Sequence, residues 1–139
     1  MQSSNDFLIL AERDYKACIK MEDDFPDEYA VSAASYHIQQ AVEKVLKGLI
    51  LLNGETPEYT HNITKLTVQC DRLGVDLPEE LDDISDTLTL WESTVRYDPF
   101  VSFRQSKYDT AKSVYLELHD QLSEELQQIE NMQQDQLKM

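Results

Sequence analysis

"YAVSAASYHIQQAVEKVLKGLILLNG", residues 29–54, is the stretch whose reading decides the fold. From Tyr29 to Asn53 only Glu43, Lys44 and Lys47 carry charge, and apolar or small side chains fall on almost every helical face. A helix that is apolar all round has no face to give to water, so it must be surrounded by protein. Asn53-Gly54 supplies a C-terminal cap that tolerates positive φ, and Pro57 prevents continuation. The pattern predicts the central helix of a bundle.

The segments on either side have the periodicity of helices that pack around such a centre. On the N-terminal side, Phe7, Leu10, Ala11, Asp14, Ala17, Cys18 and Met21 share one face, with Ser3 or Ser4 as N-cap. "EDDFPDE", residues 22–28, ends that helix with five acids and Pro26. On the C-terminal side a short helix reads from Ile63 to Leu73, with Thr60 or Asn62 as cap and Gly74 as stop. The next begins at Pro78, with Glu79, Glu80, Asp82 and Asp83 suited to a positive N-terminus, and carries Leu81, Ile84, Leu88, Trp91 and Val95 as its stripe. The last runs from about Arg104 through Tyr108, Ala111, Tyr115, Leu118, Leu122, Leu126 and Ile129. Short connections between long helices predict an all-α antiparallel bundle of four main helices, with the short helix across one end. At 139 residues, with no internal repeat or long linker, residues 1–139 are expected to form a single domain, and 130–139 a frayed C-terminal tail.

Composition narrows the function. The chain carries 27 acids against 12 bases, a formal net charge of -15, which repels phosphate backbones and argues against broad nucleic-acid binding. No apolar run reaches the roughly 18 residues a membrane span requires. The start "MQSSNDFLIL" lacks the basic region and cleavage site of a signal peptide. Cys18 and Cys70 lie too far apart for metal or redox spacing, so they read as small buried hydrophobes in a reducing, cytoplasmic setting. Glu58-x-x-His61 has the spacing of di-iron bundle ligands, but that chemistry needs two such pairs on helix interiors, and no metal is expected. There is no nucleophile elbow and no Gly-rich phosphate loop, and no cofactor is expected.

The bases are unevenly distributed. Residues 87–116 set Arg96, Arg104, Lys107 and Lys112 against Glu92, Asp98 and Asp109, a local +1, and residues 29–54 also total +1. Residues 75–86 hold six acids and no base. A modest anion site between the two basic segments, for one phosphate group or a nucleotide, is physically possible; the competing reading pairs these bases with surface carboxylates.

"SYHIQQAVEKVLKGLILLNGETPEYTHNITKL", residues 35–66, resembles the core signature of HEPN domains. In that signature a tyrosine precedes a Gln-Gln-Ala-x-Glu-Lys-x-Leu-Lys helix, here Gln39, Gln40, Ala41, Glu43, Lys44, Leu46 and Lys47. A loop ending in Thr-His follows, here Thr60 and His61; Arg96-Tyr97-Asp98 resembles the family's Arg-Tyr element, and Ala11 with Asp14 fits the first helix more loosely. The resemblance implies a bundle of four main helices that commonly dimerises, and many members occur beside a minimal nucleotidyltransferase. Many are also metal-independent ribonucleases whose mark is an arginine followed after four to six residues by a histidine. The histidine moves a proton and the arginine steadies phosphate charge. Counting from Arg96, those places hold Val101, Ser102 and Phe103, and Arg104 has no histidine at the corresponding places either. The expectation is a non-catalytic binding or accessory module, a homodimer acting with a nucleotide or a nucleotidyltransferase partner protein. Its ligand-binding residues would be Arg96, Tyr97, Lys44, Lys47 and His61. One alternative is a divergent, toxin-like ribonuclease using Arg96 with His61 or His37; another is a dimeric scaffold without a small ligand. The dimer is expected through an apolar helix surface, near the aromatic cluster of Trp91, Tyr97, Phe100 and Phe103.

Overall fold

The computed structural model describes residues 2–93 and 103–138. They form five α-helices: α1 (Ser4–Glu22), α2 (Glu28–Leu52), α3 (Ile63–Arg72), α4 (Glu79–Ser93) and α5 (Gln105–Leu137). Local chemistry sets most of the ends. Ser3 and Asp6 form a capping box at α1, Asp27 accepts from the Ala30 amide at the start of α2, and Asn62 accepts from Lys65 at the start of α3. Gly54 (φ 93°) and Gly74 (φ 76°) take the left-handed turns that release the chain after α2 and α3.

α1 and α2 run antiparallel, since Ser4 bonds the Gly48 carbonyl at one end while Cys18 donates to the Ala34 carbonyl at the other. α5 runs in the same direction as α2. Its Tyr108 reaches Glu22 at the α1–α2 turn, beside the start of α2, and its Leu122 lies against Gly48 near the end of α2. α3 stands between the C-terminal half of α2, where Cys70 faces the Leu46 carbonyl, and α4, where the Ile63 amide bonds Thr89 and Thr64 bonds Asp86.

The centre of the bundle is α2, as its composition requires. Ile38, Ala41, Val42, Val45, Leu46, Leu49 and Ile50 are fully buried, and one apolar cluster joins them to residues of the four other helices. Trp91 is buried and packs at 5.9 Å from Phe103, so two of the four aromatic residues expected at a dimer surface are used within the chain. Tyr97 and Phe100 lie outside the described residues. α5 continues as helix to Leu137, with every side chain from Gln127 to Lys138 exposed.

Candidate functional site

A carboxylate at the centre of a bundle is costly unless partners surround it. Glu43 is such a group, with a side chain only 4% exposed. One helical turn before it, Gln39 donates to Oε1 at 3.4 Å; one turn after it, Lys47 donates to Oε2 at 3.2 Å. The third partner comes from the loop between α2 and α3, where His61 Nδ1 lies 3.0 Å from Oε1 and 3.2 Å from Oε2. Gln40 extends the chain of hydrogen bonds by donating to Gln39 at 2.7 Å.

The loop that carries His61 is itself held. The buried Gln69 side chain accepts from the Glu58 amide at 3.0 Å and donates to the Thr56 carbonyl at 2.9 Å. Thr60 accepts from the Asn62 amide, and Asn62 caps α3 immediately after the histidine. His61 is thereby fixed at one nitrogen and presented at the other. Its side chain is 56% exposed, and Nε2 takes no partner among the described residues. Contact with a carboxylate requires the proton on Nδ1, so a neutral ring offers Nε2 as an acceptor and a charged ring offers it as a donor.

A second network lies on the adjacent strip of the same helix. Asp14 of α1, 13% exposed, receives Lys44 and bonds His37 Nδ1 at 2.9 Å. Lys44 and Lys47 therefore enter different networks, one facing α1 and one facing the His61 loop. The expected site residues Lys47 and His61 meet on Glu43, whereas Lys44 does not join them. Arg96 and Tyr97 lie outside the described residues.

The remaining histidine is more enclosed. His119 of α5 bonds Glu12 at 3.0 Å through Nε2 and Asp120 at 3.2 Å through Nδ1, beside the stacked rings of Tyr15 and Tyr115 in a cleft of about 280 Å³. Burial opposes its charge, but the two carboxylates outweigh burial and raise its pKa. With both nitrogens engaged, it has none left for a ligand. At the other end of α5, Lys112 and Tyr108 both donate to Glu22. Burial works against the Glu22 charge, yet these donors bring its pKa below the ordinary carboxylate value. Burial pushes both thiols, Cys18 and Cys70, up to about 12, which keeps them protonated and unreactive. Among the described residues, no group of three or more His, Cys, Asp or Glu could hold a metal ion.

Sequence reasoning named Lys47 and His61 as binding residues but gave no role to Glu43, the group that brings them together. It also passed over Asp14 as the partner of Lys44 and His37. In both cases the signal was available: an acid on an otherwise apolar helical face needs a cation.

In comparison with known proteins, the sequence model of the family described as HEPN domain matches residues 4–132. No curated protein and no solved structure gives a significant match.

Proposed function

The chain belongs to the HEPN domain family, and from that premise we propose that it is a homodimeric, non-catalytic binding module for a phosphate-bearing ligand such as a nucleotide, acting with a nucleotidyltransferase partner protein. The observation that carries this reading is the exposed imidazole of His61, anchored through Nδ1 on buried Glu43 beside Lys47. A ring that carries both protons donates outward to a phosphate at Nε2 while its other N–H stays on Glu43. Lys47 adds a second positive charge that Glu43 holds in place. Arg96 is assigned to the same ligand, because its planar fork suits two phosphate oxygens at once. Two or three bases that converge on one phosphate serve a small ligand; the net charge of -15 still disfavours a long polyanion.

The same histidine favours one second reading. An imidazole oriented by a carboxylate is the arrangement used for proton transfer, so a divergent ribonuclease pairing His61 with Arg96 is the competing function.

Calorimetric titration with an adenine nucleotide, alongside incubation with single-stranded RNA, separates the two. The proposal expects saturable nucleotide binding, weakened at least tenfold by His61→Ala and by Arg96→Lys, with intact RNA throughout. Cleavage by the wild type that His61→Ala abolishes would establish the ribonuclease reading instead. No binding and no cleavage would leave neither standing and favour a dimeric scaffold.

A further inference from the structure

The apolar stripe of α5 does not stop where the bundle stops. Leu118 and Leu122 are buried and Leu126 packs against the core; Ile129 and Met132 continue the same spacing of three and four residues into solvent, 39% and 63% exposed. Leu122 lies against Gly48, only four residues before α2 ends at Leu52, and α5 runs in the same direction as α2. Beyond about residue 126, α5 therefore passes the end of its neighbour. Residues 127–137 form an arm of roughly 16 Å at 1.5 Å per residue. Glu130 and Asp135 lie on the flanks of its apolar strip.

A complementary surface lies on the outer face of α3. Lys65, Val68 and Arg72, spaced by three and four residues, point away from the core and line a shallow groove of about 310 Å³ with Glu58, Asn62 and Thr64. Val68 is 52% exposed, and neither Lys65 nor Arg72 makes an ion pair with a described residue. In a chain this acidic, an exposed apolar residue between two unpaired cations suits an acidic amphipathic helix.

We propose that the α5 arm of one copy seats in the α3 groove of a second copy, and that a two-fold axis repeats the contact. This rests on the homodimer reading above and assigns its interface. The arm cannot serve its own groove as a continuous helix, because it leads away past the end of α2 while α3 stands alongside that helix. Arm-to-arm pairing would place Glu130 and Asp135 of one copy against those of the other, whereas arm-to-groove pairing sets them against Lys65 and Arg72. In a two-fold arrangement each arm has a groove, so no apolar strip is left open and assembly closes at two copies.

The experiment is charge exchange followed by sedimentation. One variant carries Lys65→Glu and Arg72→Glu, the other Glu130→Lys and Asp135→Lys; all four positions are exposed, and circular dichroism checks that both variants fold. Wild type is expected to be a dimer, and each variant alone to dissociate at least tenfold more readily. An equimolar mixture of the two is expected to recover dimers, because every arm then meets a groove of opposite sign. Ile129→Glu with Met132→Glu should weaken the dimer in any mixture. A wild type that sediments at 16.1 kDa removes the dimer reading itself. A wild-type dimer whose strength neither variant changes, or a mixture that recovers nothing, refutes the arm-and-groove assignment while leaving dimerisation intact.

Discussion

Exchanging Lys47 for Met would leave buried Glu43 without its lysine partner. The carboxylate is 4% exposed and cannot turn to water, and a buried pair broken on one side costs about 3–5 kcal/mol. Gln39 and His61 still donate to it, so the lower figure, about 3 kcal/mol, is the expectation. The reverse change differs. In Glu43→Leu the orphan is Lys47, already 14% exposed, whose methylene stem lets the ammonium reach the surface. That loss should be about 1–2 kcal/mol. Replacing both, Glu43→Leu with Lys47→Met, leaves no charge to desolvate and should lie within about 1 kcal/mol of wild type. Urea unfolding of the four proteins reads these differences, and the cycle should show a coupling of about 4 kcal/mol between positions 43 and 47. In a chain of this size Lys47→Met should also lower Tm by roughly 10 °C. Losses that are equal for the two single variants and add within about 0.5 kcal/mol in the double variant would mean that the pair is not coupled, and the account of a buried, partner-dependent Glu43 would be wrong.

Other positions test other parts of the structure. A Cβ at Gly48 would sit 2.8 Å from the Leu122 Cδ2 methyl, which is itself fully buried. Gly48→Ala should therefore lose about 1 kcal/mol, overpacking of about 2 kcal/mol outweighing a helix-propensity gain of about 1 kcal/mol. Adding Leu122→Val should cost less in that background than alone, and a stabilised Gly48→Ala would show that α2 and α5 do not approach so closely. Leu46→Ala should cost about 3 kcal/mol by opening a cavity at a fully buried site, whereas Gln134→Ala on the arm should stay within about 0.5 kcal/mol in a dilute, monomeric sample. His119, raised by Glu12 and Asp120, stabilises the fold fully below its ordinary value of 6.5, and the contribution fades as pH rises through its higher folded value. The Tm gap between wild type and His119→Gln should accordingly be larger at pH 5.5 than at pH 8.5, and a gap independent of pH would remove the proposed ion pairs.

The helices were legible because their signals are local. Asn62 and Gly74 mark the ends of α3 through the backbone they can satisfy or adopt, and the low charge of residues 29–54 marks α2 as the centre by composition alone. The Gln-Gln-Ala-x-Glu-Lys-x-Leu-Lys pattern also carried the resemblance to the family to which the chain belongs. The candidate site was half legible. Lys47 and His61 could be singled out as residues able to meet an anion, and the one-turn spacing of Glu43 and Lys47 was legible. The contact of Glu43 with His61 was not, because the two are eighteen residues apart and separated by a turn.

Local capping, the spacing of apolar side chains and total charge are properties of the chain as written, and they determined an acidic, all-α bundle built around residues 29–54. Which cation meets which carboxylate depends on how neighbouring helices are offset and rotated. Only tertiary packing could send Lys44 to Asp14 and bring His61 onto Glu43, whereas Lys47 meets Glu43 by the local spacing of one helical turn. The reach of α5 beyond α2 belongs to the same class. A stripe of leucines, isoleucine and methionine reads as core in sequence, and it is the end of α2 at Leu52 that leaves its last part without a neighbour among the described residues.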